Sequence, residues 1–216
     1  METSRAVIHP RIKWLLDRVR GSRILDVGYV RKYEALHRGF KNRNPRSLVV
    51  GIDLDVEAVL QARDDHSVVG NALQLPFRDS EFDAVVAGEL LEHVWDGFTL
   101  LRELVRVSQP GGTVYVTTPN PFSLNNWLRH WLLAPRIYTR ASFRGFLGDP
   151  DHKMFWNPPS LFNAISALGL DIVEFTTIGV RIPLIARAVK RLGALDIPCY
   201  PFNRLSHSTC VVGRKR

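Results

Sequence analysis

The feature that most constrains this chain is a regular alternation of short apolar runs with segments of helical period. Runs such as RILDV at 23–27, SLVVGI at 47–52 and FDAVVA at 82–87 are apolar at nearly every position. Strands of that kind are buried on both faces, which is the condition of a parallel sheet covered by helices on each side. The pattern predicts strands over 23–27, 47–52, 67–69, 82–87 and 113–118, with helices over 10–20, 31–39, 56–62 and 98–107. Pro110-Gly111-Gly112 marks a turn before the fifth strand. The rhythm then breaks. A helix is expected over 122–134, a long loop over 135–157, a helix over 160–168, a strand over 170–178, a helix over 183–193 and a last strand over 208–213. This is a doubly wound α/β sheet of seven strands with helices inserted after the fifth and sixth. At 216 residues one domain is expected, 1–216, with 121–157 and 180–206 as insertions on the ligand side.

In an open sheet of this type ligands bind beyond the carboxyl ends of the strands. The first such loop reads Asp26-Val27-Gly28-Tyr29-Val30, where a glycine lets backbone approach a ligand closely. The second strand leads into Asp53-Leu54, and an acid at that place can accept hydrogen bonds from both hydroxyls of a ribose. Alternatively, Asp26 and Asp53 cap strand-to-helix turns. The third loop, Gly70-Asn71-Ala72-Leu73, offers an amide and apolar groups suited to an adenine ring, with Leu75 and Phe77 nearby. The fourth reads Gly88-Glu89-Leu90-Leu91-Glu92-His93.

The segments RILDVG at 23–28, VVGIDLD at 49–55, GNALQLPFRDSEFDAVVAGELLEHV at 70–94 and LRELVRVSQPGGTVYVTTPNP at 101–121 together resemble the class I S-adenosyl-L-methionine (SAM) methyltransferases, in particular the branch acting on small molecules, sugars and lipids. The resemblance is good over about 20–120 and weaker over 152–175. It implies a Rossmann-like sheet whose last strand runs antiparallel between the fifth and sixth, and SAM as cofactor. By position it assigns Asp26, Gly28 and Tyr29 to the first cofactor loop, Asp53 and Leu54 to the ribose, Asn71, Ala72 and Leu73 to the adenine, and Gly88 and Glu89 to the methionine part. One departure stands out. The family's first loop carries three alternating glycines, and here Val30 and Lys32 replace the second and third. Either the loop shifts and SAM still binds, or the chain is a non-catalytic binding protein that keeps the methyltransferase fold.

Methyl transfer needs a base only when the acceptor must lose a proton. His93 and His152 are the candidates, since imidazole titrates near neutrality. His93 has the alternative of a hydrogen-bonding role at a helix end. The net charge of +8 lies entirely in 121–216, where thirteen Lys and Arg face five Asp and Glu, whereas 1–120 is balanced. Such asymmetry suits an anionic acceptor, small or lipid-linked, or else a solvated basic face. Residues 124–135 and 182–192 are basic and amphipathic. They are expected to pack on the sheet or to form a lid, and a second reading lays them on an anionic membrane surface. There is no Gly-x-Gly-x-x-Gly for a nicotinamide cofactor and no recognised nucleic-acid module, so nucleic acid is not expected as partner. Two cysteines make no metal-ligand cluster, and no apolar run approaches the roughly 20 residues of a membrane span. The first residues lack the apolar core of a secretion signal. A cytoplasmic protein, peripheral to the membrane at most, is the expectation. The acceptor and the oligomeric state are not legible.

Overall fold

A computed structural model of the protein describes residues 9–124, 126, 151–179 and 205–216. Seven strands form one sheet in the order β3-β2-β1-β4-β5-β7-β6. They are β1 (Arg23–Val27), β2 (Leu48–Asp53), β3 (Ser67–Val69), β4 (Phe82–Gly88), β5 (Ser108–Pro119), β6 (Leu170–Ile178) and β7 (Ser208–Lys215). The first five are parallel, and β7 lies antiparallel between β5 and β6. Strand order reverses between β1 and β4, so the switch-point crevice opens above that pair.

Among the described residues five helices cover the sheet: α1 (Pro10–Arg18), α2 (Glu34–Arg43), α3 (Val56–Ala62), α4 (Gly97–Val107) and α5 (Pro158–Ala167). Their starts are written locally. The carboxylates of Asp55 and Asp96 accept from the amides of Ala58 and Thr99, and the Asn157 side chain accepts from Ser160 N, opening α3, α4 and α5. Each satisfies an amide that the helix itself cannot.

Alternation along the strands builds two apolar layers. Leu25, Val27, Val85 and Ala87 face α4 (Leu100, Leu101, Leu104) and α5 (Leu161, Ile165). Ile24, Ala84 and Val86 face α1 (Trp14, Leu15, Leu16) and α2 (Leu36, Phe40). Both layers are filled, which is why the strands read as unbroken apolar runs.

Beyond shifts of one or two residues at element ends, the structure departs from the sequence expectation in two places. The helix expected over 31–39 is a 3-10 turn, Arg31–Tyr33, followed by α2, which runs on to Arg43. The strand expected to begin at 113 begins at Ser108, directly after α4. Its register slips between Phe82 and Ala84 of β4, so Pro110-Gly111-Gly112 is absorbed as a bulge within the strand. The helix expected over 122–134 lies outside the described residues except at 122–124 and 126, and the helix expected over 183–193 lies outside them altogether. Of the expected long loop, 151–157 is described and holds neither helix nor strand. Among the described residues no helix is long and apolar enough to cross a membrane.

Candidate active site

A cavity of about 380 Å³ opens at the carboxyl ends of β1 to β4. Each strand contributes to it in turn: Val27 and Gly28, then Ile52, Asp53 and Leu54, then Gly70 to Leu73, then Leu90 and His93 to Asp96, with Lys153 at the edge. Gly28, Asp53, Leu54, Asn71, Ala72, Leu73 and His93 are thus brought together as the sequence suggested.

Gly28 holds a positive φ of 77°, and a Cβ there would sit 3.1 Å from Leu90 Cδ1. Both facts favour glycine. Position 30 is different. Val30 has φ −82° and ψ 178°, extended backbone that any residue adopts. Its side chain is buried with Ala58 and Val59 of α3 and does not line the cavity. The glycine that the family resemblance leads one to expect is therefore not required at 30. The left-handed turn falls at Arg31, φ 59°, whose guanidinium pairs with Asp55. Val30→Gly should leave affinity for the cofactor product within about twofold. It should lower unfolding free energy by about 2–3 kcal/mol, through the lost buried side chain and the added backbone freedom. Calorimetric titration and urea unfolding of the variant check both halves.

Several expected cofactor residues sit off the cavity wall. Asp26 points to the α1–α2 side, because Leu25 and Val27 take the other face of β1; its carboxylate meets His37 Nδ1 at 2.9 Å. Tyr29 turns inward. Its hydroxyl donates to Ser67 Oγ at 2.6 Å, and its ring fills the space that glycine leaves at 51, where a Cβ would lie 2.7 Å away. Gly88 lies beside Leu15 and Leu36, and Glu89 pairs with Arg11 at 3.5 Å on that same side.

Asp53 faces the cavity. Its Oδ1 accepts from Asp55 N at 3.0 Å and its Oδ2 from Val30 N at 3.5 Å. The cap of α3 is Asp55, which leaves Asp53 available to a ligand. In the next loop Asn71 Oδ1 accepts from Leu73 N at 2.9 Å, forming a tight Asx turn. The residues after it are clamped by a pair that sequence reasoning missed. Arg106 donates to Glu103, to the carbonyls of Leu75 and Phe77 and to Asp79, while Glu103 accepts from Leu75 N. The Arg106 bond holds the Glu103 carboxyl below its ordinary range. Its folded pKa being depressed, the stabilisation is present above the ordinary value and fades as pH falls through that range. Arg106→Ala should cost about 2–3 kcal/mol at neutral pH and less in acid, read by urea unfolding at several pH values. Lysine should not rescue it, having no planar fork.

Beyond Gly88 lies a polar nest. Glu89 has φ 57°, and its amide donates to the Thr117 carbonyl at 2.9 Å. Glu92 is buried, and its Oε2 accepts from Thr118 Oγ1 at 3.1 Å. Burial, with the charge of Glu89 adding to it, pushes the Glu92 carboxyl up to about 8. Burial likewise raises the Tyr33 hydroxyl, again with help from Glu89. His93 Nδ1–H donates to the Asp151 carbonyl at 3.3 Å, and the His93 and His152 rings stand edge to face at 4.9 Å. The two histidines are brought together; His93 lines the cavity and His152 stands behind it. Glu92, Trp95 and Lys153 were not singled out from sequence. A carboxylate set among apolar neighbours in Leu90-Leu91-Glu92-His93-Val94 was the signal for the first.

A sequence profile described as a methyltransferase domain matches residues 25–116. The chain is 30% identical over 164 residues to a demethylmenaquinone methyltransferase of Roseiflexus sp. (strain RS-1), covering 68% of each. It is 41% identical over 87 residues to the enzyme of that name from Geobacillus stearothermophilus, 36% of this chain and 37% of that one. The match thus spans between about a third and two thirds of the length of these curated relatives. The fold is shared with an S-adenosylmethionine-dependent methyltransferase structure from Mesorhizobium loti, with a TM-score of 0.66 at 18% identity, covering 95% of this chain and 96% of that one. Profile, relatives and sheet order agree with the crevice geometry: the chain belongs to the class I SAM-dependent methyltransferases.

Proposed function

We propose that this chain, working as a single domain, transfers a methyl group from SAM to a small-molecule, sugar or lipid-linked acceptor bearing negative charge. The observation that carries the reading is the cavity itself, to which four successive strand ends each bring the expected kind of group. The residues fit the cofactor. Gly28 supplies close backbone approach, Asp53 the acceptor for the ribose hydroxyls, and Asn71 to Leu73 an apolar wall with an amide for the adenine. Glu89, off the cavity wall, anchors the turn that leads to His93. SAM when bound supplies a methyl group on a positive sulfur, already activated, so the protein contributes chiefly proximity and orientation, worth roughly 7–11 kcal/mol. His93, at the cavity wall with His152 behind it, is placed to receive a proton from an acceptor.

Support for an anionic acceptor comes from Lys153 at the cavity edge and from the basic excess of 121–216. Among the relatives, the demethylmenaquinone methyltransferases carry an acceptor in their names, and a lipid-linked acceptor here is argued by that likeness alone. Titration calorimetry with SAM and its demethylated product tests the cofactor half; no heat with either removes it. Transfer of labelled methyl to a panel of anionic and neutral acceptors tests the other half, and a preference for neutral ones would sink it. Flotation with anionic vesicles tests the membrane reading of 124–135 and 182–192, which fall almost wholly outside the described residues.

A further inference from the structure

We propose that Glu92, His93 and His152 form a binding site for a first-row divalent cation of the Zn²⁺, Co²⁺ and Mn²⁺ class, at the inner edge of the cofactor cavity. One carboxylate oxygen and one ring nitrogen from each histidine lie within 4.8 Å of one another. Side-chain rotation can bring such a set to the roughly 2.0–2.2 Å ligand distances of these ions. Two imidazoles with one carboxylate suit them better than Mg²⁺ or Ca²⁺, which prefer oxygen.

Three features mark the cluster as built. First, Glu92 is 1% exposed, and its Oε1 has no hydrogen-bond partner, although Oε2 is held by Thr118. A buried carboxylate oxygen left unmatched is costly. That oxygen lies 4.0 Å from His93 Nε2, too far for a hydrogen bond and wide enough for an ion between them. Second, the bond from His93 Nδ1–H to the Asp151 carbonyl leaves Nε2 with its lone pair facing the carboxylate. This is the outer-sphere arrangement that orients a metal-binding histidine. Third, His152 is delivered by a strapped segment: the amides of Lys153 and Met154 both donate to the Glu92 carbonyl, at 2.8 and 3.2 Å.

The site stands without the methyl-transfer reading. Its role rests on that reading and, with the metal bound, takes the place of His93 as base: an acceptor hydroxyl bound to the ion would release its proton to water more readily. The acceptor atom is then an oxygen.

Equilibrium dialysis of the metal-stripped protein against Co²⁺, with visible spectra, decides the matter. One Co²⁺ per chain with ligand-field bands is expected. Glu92→Gln and His152→Ala should each weaken binding more than about tenfold, since even outer-sphere partners are worth roughly 10–100-fold. A melting curve checks that each variant is folded, and His152→Ala, in a loop, decides if Glu92→Gln is not. No bound Co²⁺, or binding untouched by His152→Ala, overturns the proposal. A parallel titration with the demethylated cofactor separates the two ideas: Co²⁺ bound without cofactor affinity would sink the methyltransferase function and leave this site standing.

Discussion

Asp53→Ala is expected to reduce affinity for SAM and its demethylated product by about 30- to 1,000-fold, equivalent to roughly 2–4 kcal/mol. The carboxylate stands at the end of β2 on the cavity wall, and two ribose hydroxyls donating to it would make two charge-assisted bonds. Its existing bonds, to the amides of Asp55 and Val30, are few and partly solvated, so the variant should lose only about 1 kcal/mol of stability. That contrast is the test. A large loss of affinity with a nearly unchanged melting curve places Asp53 on the ligand. Asp53→Asn keeps an oxygen acceptor for the local amides but drops the charge, so its affinity should fall between the two. Calorimetry on all three proteins reads the series. An Asp53→Ala variant that binds as tightly as the parent would show that the ribose lies elsewhere.

The strands and most helix starts were legible because their determinants are local. Apolar runs that must be buried on both faces name the strands, and Asp55, Asp96 and Asn157 stand where caps belong. Asp26 shows what local reading overlooks. Its motif position suggested the cofactor, yet strand alternation alone sends it to the face opposite Val27. Tyr29 could not have been placed from its neighbours, because its position depends on a missing side chain at Gly51 on another strand. The same holds for Val30. The alternating-glycine pattern raised the concern that the loop was spoiled, but the backbone at 30 is extended and the side chain leaves by way of α3. The cluster of Glu92, His93 and His152 was half visible. The two histidines stand out in the sequence as base candidates, but only the folded 151–154 strap brings His152 to Glu92 and His93.

His37→Leu is expected to cost about 3–5 kcal/mol, a large share of the stability of a domain this size. The ring is buried, and each nitrogen meets a carboxylate: Asp26 at 2.9 Å and Asp64 at 3.1 Å, with Lys41 pairing to Asp64 in turn. The Tyr29 ring lies against it, centroids 4.5 Å apart. This relay ties the end of β1 and the inward-turned loop after it to α2. Leucine fills similar space but leaves the Asp26 carboxylate buried without its partner. Burial already raises the Asp26 pKa, and the His37 bond pulls it back; without His37 it must rise further. A carboxyl whose folded pKa exceeds its unfolded value costs stability as pH climbs through it. The penalty of His37→Leu should therefore be greatest near neutrality and shrink in acid, as pH falls back toward the ordinary carboxylate range and Asp26 takes up its proton. Urea unfolding at neutral and at acid pH reads the difference. Adding Asp26→Leu should restore much of the loss at pH 7, since two apolar groups can replace a buried pair at little cost. A double variant less stable than His37→Leu alone would show that the histidine acts through packing and not through Asp26. In that case the packing of Tyr29 and Val30, and not the Asp26 charge, would be what holds the loop after β1 to α2 and α3.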